Sequence, residues 1–238
     1  MKKPEKDIFV SVILPTYNEK GNVIPLIKAI HENLEGYHHE IIVVDDDSPD
    51  GTYEAVKSLN YDFVKPILRT KSRGFANSIR CGIEHASGNV ITVMDSDFNH
   101  RPEYLPFMIN NIQYYDCVTA SRFLYGGAMD SRLRHYLSWI FDIFTRILTG
   151  GMITDSLYGY FAIKKEVLNN IDFDKVFWGY GDYCIRLFYY LQVKRINVLQ
   201  FPAVNGKRID GEGSSRLLNV FIQYAKEVLK LTIREKRL

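Results

Sequence analysis

Residues 90–97 read Val-Ile-Thr-Val-Met-Asp-Ser-Asp, an apolar run that ends in two aspartates one residue apart. A short, continuous apolar run of this kind indicates a buried strand of a parallel sheet. Asp95 and Asp97 then lie at its carboxyl end, where two close carboxylates are costly unless a cation neutralises them. Oxygen ligands suit Mg²⁺ or Mn²⁺, which commonly bind carboxylates together with a substrate phosphate. Alternatively, Asp97 caps the next helix and Asp95 is a solvated strand end.

Apolar runs alternate with helical spacing on both sides of this strand. The pattern predicts strands at 9–14, 41–44, 63–68, 90–94 and 117–120, with helices at 23–34, 51–59, 74–85 and 102–114. Such alternation is typical of an α/β fold with a mainly parallel central sheet and helices on both faces. Ligands of these sheets bind outside the carboxyl ends of the strands.

The composition indicates one globular domain in a reducing compartment. The chain has 238 residues, a net charge of +2 and three widely spaced cysteines, Cys81, Cys117 and Cys184. Their spacing matches neither a zinc site nor a disulfide framework. The charged start, without a signal-peptide pattern, and the lack of an apolar stretch of about 18 residues predict a cytoplasmic protein. We expect membrane contact only at the surface, and no nucleic-acid partner.

Polar clusters follow the first two predicted strands. Residues 15–19 read Pro-Thr-Tyr-Asn-Glu, and residues 45–52 read Asp-Asp-Asp-Ser-Pro-Asp-Gly-Thr. An aspartate there could accept a hydrogen bond from a base or a ribose, and Tyr17 could stack on a base. The Ser-Pro-Asp-Gly stretch is also a turn signal, but a turn alone does not explain three acids before it.

These clusters, together with Asp-x-Asp-x-Asn-His-x-Pro-Glu at 95–103, resemble family 2 glycosyltransferases. The resemblance is strongest to the polyprenyl-phosphate branch typified by dolichol-phosphate mannose synthase. It continues through the second half of the chain, in blocks at 121–123, 126–127, 131–134, 155–160 and 208–214. It thus covers nearly the whole chain.

This resemblance implies a GT-A fold, a Rossmann-like sandwich, and a metal-dependent enzyme that inverts the anomeric carbon. The donor would be a GDP- or UDP-linked hexose of mannose or glucose type, and the cofactor Mg²⁺ or Mn²⁺. The implied metal ligands are Asp95, Asp97 and Asn99. The implied nucleotide-sugar site comprises Pro15, Tyr17, Glu19, Asp45, Asp46, Asp95, Ser96 and Arg208.

The second half of the chain would bind the acceptor, a polyprenyl phosphate. Arg122, Arg132 and Arg134 are candidates to bind its phosphate, since guanidinium groups match phosphate oxygens, and Asp155 is a further polar group of this cleft. The apolar face of a helix at 132–149, and a C-terminal helix with a basic end, would contact the membrane. Both helices could equally pack on the sheet with solvated charges.

Three residues, Asp97, Arg132 and Asp182, are predicted to be catalytic. Asp182 could be a base, could orient the acceptor or could cap a helix. A base is needed for a hydroxyl acceptor, but a phosphate is already anionic at neutral pH.

We expect a single domain over 1–238, with a nucleotide-sugar half at 1–121 and an acceptor half at 122–238. The main competing function is that of a family 2 enzyme that glycosylates a sugar hydroxyl in a surface glycan. Two more distant candidates are a nucleotidyltransferase and an inactive nucleotide-sugar sensor. The nucleotidyltransferase would need a glycine-rich basic loop after strand one, and that loop is absent from the sequence.

Overall fold

A computed structural model describes residues 8–210 and 217–235 of the chain. The predicted block at 208–214 therefore lies partly outside the described residues, as do the charged start and the last three residues. The strands are β1 (Phe9–Thr16), β2 (His38–Asp45), β3 (Val64–Leu68), β4 (Val90–Val93), β5 (Cys117–Ser121), β6 (Phe161–Lys164) and β7 (Val198–Pro202). The helices are α1 (Lys20–Asn33), α2 (Thr52–Lys57), α3 (Phe75–His85), α4 (Leu105–Asn111), α5 (Arg132–Thr149), α6 (Lys165–Asn169), α7 (Phe173–Val176), α8 (Tyr183–Val193) and α9 (Leu217–Glu235).

The seven strands form one sheet in the order β3-β2-β1-β4-β6-β5-β7. All neighbours pair in parallel except β6, which is antiparallel to both β4 and β5. The α/β class and the mainly parallel sheet are therefore confirmed. The two strands after β5 are not in the sequence prediction, which has only helices and aromatic loops there.

Helices cover both faces of the sheet. The side chains of each strand alternate between these faces and so contribute to two cores. On β1, Val10, Val12 and Leu14 belong to the core that also contains the apolar residues of α1 and α4. Ile13 points to the other face, where α3 and α8 pack. A strand buried on both faces is mostly apolar, which explains the nearly continuous apolar runs in the sequence.

The carboxyl edge of the sheet collects the polar segments. The strands β1, β2 and β4 end there, at Thr16, Asp45 and Val93. Because β6 runs in the opposite direction, its first residue, Phe161, lies at the same edge. The segment before β6 therefore meets the loops that follow the parallel strands.

The long helices α5 and α9 pack against each other beside this edge. Phe141 of α5, Ile185 of α8, and Tyr224, Val228 and Leu231 of α9 form a third, smaller core. Within the described residues, no helix is both long enough and apolar enough to cross a bilayer.

Candidate active site

A cavity of about 840 Å³ opens at the carboxyl edge of the sheet. The loops after β1 and β4, the start of α3, and residues 157–159 form its walls, together with Arg122 and Arg134. Tyr180, Tyr183 and Tyr224 lie on the side of α8 and α9, and Asn205 and Arg208 come from the segment after β7. Both predicted halves of the chain therefore contribute to one cavity.

The acidic pair follows β4 in a tight turn, in which Phe98 has a positive φ of 66°. Asn99 orders Asp97, because its backbone N–H donates to Oδ1 at 3.0 Å and its Nδ2 donates to Oδ2 at 2.7 Å. The hydroxyl of Ser96 donates to the carbonyl of Pro15 at 2.9 Å, which ties this turn to the end of β1. Asp95, Asp97 and Asn99, the predicted metal ligands, all line the cavity.

His100 holds the turn from behind and was not among the predicted site residues. Its Nδ1 accepts from the backbone N–H of Asp95 at 2.8 Å, and its Nε2 lies 2.8 Å from the carbonyl of Tyr158. Nε2 therefore carries the proton and the ring is neutral, and burial lowers the pKa of His100 to about 3. The ring stacks on Tyr160. The sequence signal is a histidine soon after the acidic pair.

Asp95 and Asp97 lie close enough for their negative charges to repel each other. Burial raises the pKa of Asp95 well above its ordinary value, and the nearby charges of Asp97 and Glu19 raise it further. The positive charges of Arg122 and Arg208 oppose this effect only in part. A cation between the carboxylates would relieve this repulsion.

The residues present fit a divalent ion completed by phosphate oxygens. Within 8–210 and 217–235, no group of three or more His, Cys, Asp or Glu side chains forms a ready metal cage. Mg²⁺ is usually bound by one or two carboxylates plus substrate phosphates and water rather than by such a cage. Asp95, Asp97 and the amide oxygen of Asn99 provide that kind of incomplete ligand set.

Arg208 reaches this turn from the segment after β7. Its Nη1 donates to Asp97 at 2.6 Å, and its Nη2 donates to both carboxylate oxygens of Glu19, at 2.7 and 2.8 Å. Burial raises the pKa of Glu19, although its hydrogen bonds from Arg208 and Asn22 oppose this. Glu19 and Arg208, both predicted to bind the nucleotide sugar, thus lie beside the acidic pair.

The two aspartates that follow β2 differ in their surroundings. Asp45 is 1% exposed and accepts from the hydroxyl of Thr16 at 3.0 Å and from the N–H and hydroxyl of Ser48 at 2.8 and 2.6 Å. Asp46 lines the cavity, whereas Asp45 is not part of its wall. The structure therefore gives Asp45 a role in shaping the loop, which differs from the predicted direct contact with the nucleotide.

Asp46 joins two elements at the cavity wall. Its Oδ1 accepts from Arg69 at 2.6 Å, and its Oδ2 accepts from the backbone N–H of Gly74 at 2.7 Å, just before α3. Pro15 and Tyr17 line the same side, and the ring of Tyr17 is 55% exposed. An exposed ring at a cavity wall is available for stacking on a base.

On the opposite side, Arg122 is held in a fixed orientation by Asp155. Its Nε and Nη2 donate to the two oxygens of this carboxylate at 2.7 and 2.8 Å, and its backbone N–H donates to it at 2.9 Å. Its guanidinium also lies over the ring of Tyr158, 4.7 Å from the centroid. Asp155 is fully buried, so it acts on the cavity through Arg122.

The other two predicted acceptor arginines lie on the first turn of α5. Arg134 lines the cavity. Arg132 is exposed at the first residue of the helix and does not belong to the cavity wall. The geometry thus does not support a catalytic role for Arg132, because a side chain outside the wall does not contact the reacting groups.

A second buried carboxylate, Asp142, lies behind the Arg122–Asp155 pair and was missed by sequence reasoning. Its Oδ1 accepts from the backbone N–H and the hydroxyl of Ser156, at 2.8 and 2.6 Å, while its buried Oδ2 has no hydrogen-bond partner. Burial and the nearby charge of Asp155 raise the pKa of Asp142 to about 7. The only sequence signal is an acid among apolar residues of α5.

Asp182 is paired inside the protein rather than directed into the cavity. It is 1% exposed, accepts from the backbone N–H of Tyr180 at 2.9 Å and forms an ion pair with Arg186 one helical turn later. The guanidinium of Arg186 stacks over Trp178, 3.7 Å from the ring centroid. The prediction of a catalytic Asp182 is therefore corrected: this carboxylate orders the 178–182 loop.

Comparison with known proteins places the chain among glycosyltransferases. The family model described as "Glycosyl transferase family 2" matches residues 11–172. Dolichol-phosphate mannosyltransferase of Pyrococcus furiosus is 32% identical over 237 residues, which cover 93% of this chain and 63% of that protein. The enzyme of the same name from Saccharomyces cerevisiae is 28% identical over 234 residues, 94% of this chain and 86% of that protein. Undecaprenyl-phosphate mannosyltransferase of Micrococcus luteus is 32% identical over 181 residues, 72% of this chain and 73% of that protein. This chain thus spans less than two thirds of the archaeal relative.

Solved structures share the fold. Glucosyl-3-phosphoglycerate synthase of Mycobacterium tuberculosis, in complex with Mn²⁺, UDP and phosphoglyceric acid, superposes with a TM-score of 0.73 at 18% identity. The match covers 94% of this chain and 78% of that one. Mannosyl-3-phosphoglycerate synthase of Rubrobacter xylanophilus gives a TM-score of 0.67 at 19% identity, covering 97% and 76%. The GT-A architecture predicted from the sequence is confirmed.

Proposed function

This chain belongs to glycosyl transferase family 2, and from that premise we propose that it transfers a hexose from a GDP- or UDP-sugar to a polyprenyl phosphate. The reaction would invert the anomeric carbon and require Mg²⁺ or Mn²⁺. The observation that carries the proposal is the pairing of two opposite electrostatic environments in one cavity. On one side of the cavity, the acidic pair and Asn99 are suited to bind a cation. On the other side, Arg122 and Arg134 provide two guanidinium groups for an anion.

Residues on the donor side would hold the nucleotide sugar by its diphosphate. Asp95, Asp97 and Asn99 would bind the divalent ion, which supplies positive charge to the departing nucleoside diphosphate when bound. Tyr17 would stack on the base, and Arg208 would provide a second positive charge to the diphosphate. We assign this half to residues 1–121, with Arg208 contributed by the second half of the chain and Asp45 supporting the loop indirectly.

Residues on the acceptor side would orient a phosphate for in-line attack. Arg122 is suited to this because the bidentate contact with Asp155 fixes its guanidinium before the acceptor arrives, so little rotamer freedom is lost on binding. Arg134 would contact the same phosphate from α5. We assign acceptor binding to residues 122–238.

The buried state of Asp182 favours a phosphate acceptor over a sugar hydroxyl. A hydroxyl nucleophile needs a base within hydrogen-bonding reach, whereas a phosphate is already an anion at neutral pH. The carboxylate of Asp182 is occupied by Arg186 and by a backbone N–H. The carboxylate of Asp182 is therefore not available as a base for a substrate in the cavity.

Exposed apolar side chains on α5 and α9 support a position on the cytoplasmic membrane surface. Ile147 is 76% exposed, and further exposed residues are Leu133, Tyr136, Leu137, Trp139 and Ile140 on α5 and Ile222, Leu229 and Ile233 on α9. An amphipathic helix with such a face lies in the headgroup region of a bilayer. Since Arg134 of α5 lines the cavity, a lipid phosphate there would have its chain directed along this surface.

The test is a transfer assay with radiolabelled GDP-mannose, UDP-glucose and related donors, with Mn²⁺ and short-chain polyprenyl phosphates. We expect one donor to give a lipid-linked product, and Asp97→Asn to lower its rate by about a hundredfold or more through loss of a metal ligand. Asp62→Asn, at an exposed position, is the matched control and should retain full activity. Transfer only to sugar hydroxyls would contradict the lipid acceptor, and full activity of Asp97→Asn would contradict the metal site.

A further inference from the structure

Arg208 lies where a cation is needed, between Glu19 and Asp97. It makes three hydrogen bonds of 2.6–2.8 Å to these carboxylates, and its Nε also donates to the carbonyl of Asp210 at 3.2 Å. Every nitrogen of the guanidinium is therefore engaged. Arg208 thus places a positive charge in direct contact with the acidic turn.

The same contacts oppose the entry of a divalent ion. Oδ2 of Asp97 accepts from both Asn99 and Arg208, so its lone pairs are used. An ion at this oxygen would have to displace Arg208, and an ion at the neighbouring oxygen would lie within a few ångströms of its positive charge. Either way, metal binding alone is disfavoured by charge repulsion.

The backbone around Arg208 is fixed on both sides, so any exchange must be a movement of its side chain. The N–H of Gly206 donates to the carbonyl of Asn99 at 2.9 Å. A Cβ at Gly206 would lie 1.9 Å from the carbonyl oxygen of Phe98, so this close approach requires glycine. On the other side, Oδ1 of Asn22 accepts from the N–H groups of Ile209 and Asp210, at 3.1 and 2.9 Å.

Asn22 links this anchor to the ion pair itself. It is 2% exposed, and its Nδ2 donates to Glu19 at 2.7 Å and to the carbonyl of Asp210 at 3.0 Å. The buried side-chain amide of Asn22 thus fixes the carboxylate of Glu19, which holds Arg208, and also fixes the backbone next to Arg208. The segment 205–210 thus has backbone anchors besides the contacts of the Arg208 side chain.

We propose that Arg208 competes with the divalent ion for the Asp97 carboxylate and moves to the diphosphate when donor and metal arrive together. This inference rests on the proposed function. Its consequence is an order of binding: the free metal binds weakly, whereas a metal–nucleotide complex brings the phosphate that gives Arg208 its new partner. The site thereby prefers the metal–nucleotide complex to the bare ion.

The test measures Mn²⁺ binding by the loss of the free Mn²⁺ signal in electron paramagnetic resonance, with no turnover involved. Wild type, Arg208→Gln and Arg208→Lys are titrated with Mn²⁺ alone, then with saturating GDP or UDP. We expect Arg208→Gln to bind Mn²⁺ alone about tenfold or more tightly than wild type, the size expected when one opposing charge is removed at close range. We also expect added nucleotide to raise the Mn²⁺ affinity of Arg208→Gln less than that of the wild type. Arg208→Lys, which keeps the charge, should remain close to wild type.

The matched control is Arg73→Gln, which removes an arginine from the same cavity. Arg73 pairs with Asp47 and not with the acidic turn, so its loss should leave the affinity for Mn²⁺ alone unchanged. Equal or weaker Mn²⁺ binding by Arg208→Gln would overturn the competition while leaving the proposed function intact. Failure of wild type to bind Mn²⁺ even with either nucleotide would instead refute the metal site and the inference together. Circular dichroism checks that the variants are folded. If Arg208→Gln is unfolded, the test is the increase in Mn²⁺ affinity of the wild type on adding nucleotide, and no increase would overturn the proposal.

Discussion

Replacement of Asp142 by asparagine should remove a pH dependence of stability that originates behind the Arg122–Asp155 pair. Asparagine keeps the oxygen that accepts from the N–H and hydroxyl of Ser156, so the link between α5 and the segment before β6 is retained. It replaces the buried, unpartnered Oδ2 with a neutral amide group that does not titrate. The substitution therefore isolates the charge of this carboxylate from its structural contact.

The magnitude follows from the difference in proton affinity between the folded and unfolded states. The ordinary pKa of 3.8 rises to about 7 in the folded protein, through burial and the charge of Asp155, against hydrogen bonds from Ser156 and the charge of Arg122. Between these values the folded protein keeps a proton that the unfolded chain has released. The contribution of Asp142 to stability is thus complete below about pH 4 and falls by about 1.4 kcal/mol per pH unit, or about 4 kcal/mol in total, as the pH rises to about 7.

Urea unfolding of wild type and Asp142→Asn at pH 5, 6, 7 and 8 measures this effect. The difference in unfolding free energy should shift in favour of the variant by about 1.4 kcal/mol per unit from pH 5 to 7, then level off. Asp62→Asn, at an exposed aspartate, should show no such slope. A difference that stays constant between pH 5 and 8 would refute a carboxyl protonated near neutrality.

Three further predictions concern stability, acceptor affinity and the membrane. Asp182→Asn should cost about 3–5 kcal/mol in urea unfolding, because it leaves the buried Arg186 without a counter-charge, yet leave kcat for a phosphate acceptor within a few fold; a large fall in kcat at full folding would restore Asp182 as a base. Arg122→Lys should raise KM for the polyprenyl phosphate about tenfold or more through loss of the planar guanidinium geometry, with KM for the donor unchanged; equal changes in both would contradict an acceptor role. Ile147→Glu should lower binding to anionic vesicles in flotation, and unaltered binding would argue against contact through α5.

The first half of the fold was predictable because its signals are local. Strands β1, β2 and β4 each contain a largely apolar run followed by turn residues, and a strand buried on both faces leaves that signature in the sequence. The strands β6 and β7 are not predicted from the sequence. β6 has only four residues, and β7 has mostly half-buried positions and no long apolar run. Their pairing is decided by distant partners, and that information is absent from any short window.

The residues of the candidate site also fall into two groups, those that a local sequence signal predicts and those that it does not. Asp95 and Asp97 could be predicted because a carboxylate directly after a buried strand must lie at the sheet edge. The three roles predicted for Asp182 stay open at the level of sequence because a side chain at the right place along the chain can still turn inward, although its spacing of four from Arg186 is a signal for a helical ion pair. The role of Asn22 depends on a chain segment almost at the other end of the sequence, and no local pattern reports that contact.

The antiparallel placement of β6 has a consequence for how this architecture diversifies. The chain leaves the sheet at Ser121, at the end of β5, and re-enters it at Phe161, which is in register with Thr119 of β5. Everything between these points is an excursion whose two ends are neighbours, so a change in its length alters the entropy of closing it only slightly. The excursion carries Arg122, α5 and Asp155, the groups that we propose bind the acceptor. A graft from a relative at these two junctions is therefore expected to change the acceptor preference, provided that it keeps the carbonyl of residue 158 that contacts His100 behind the acidic turn.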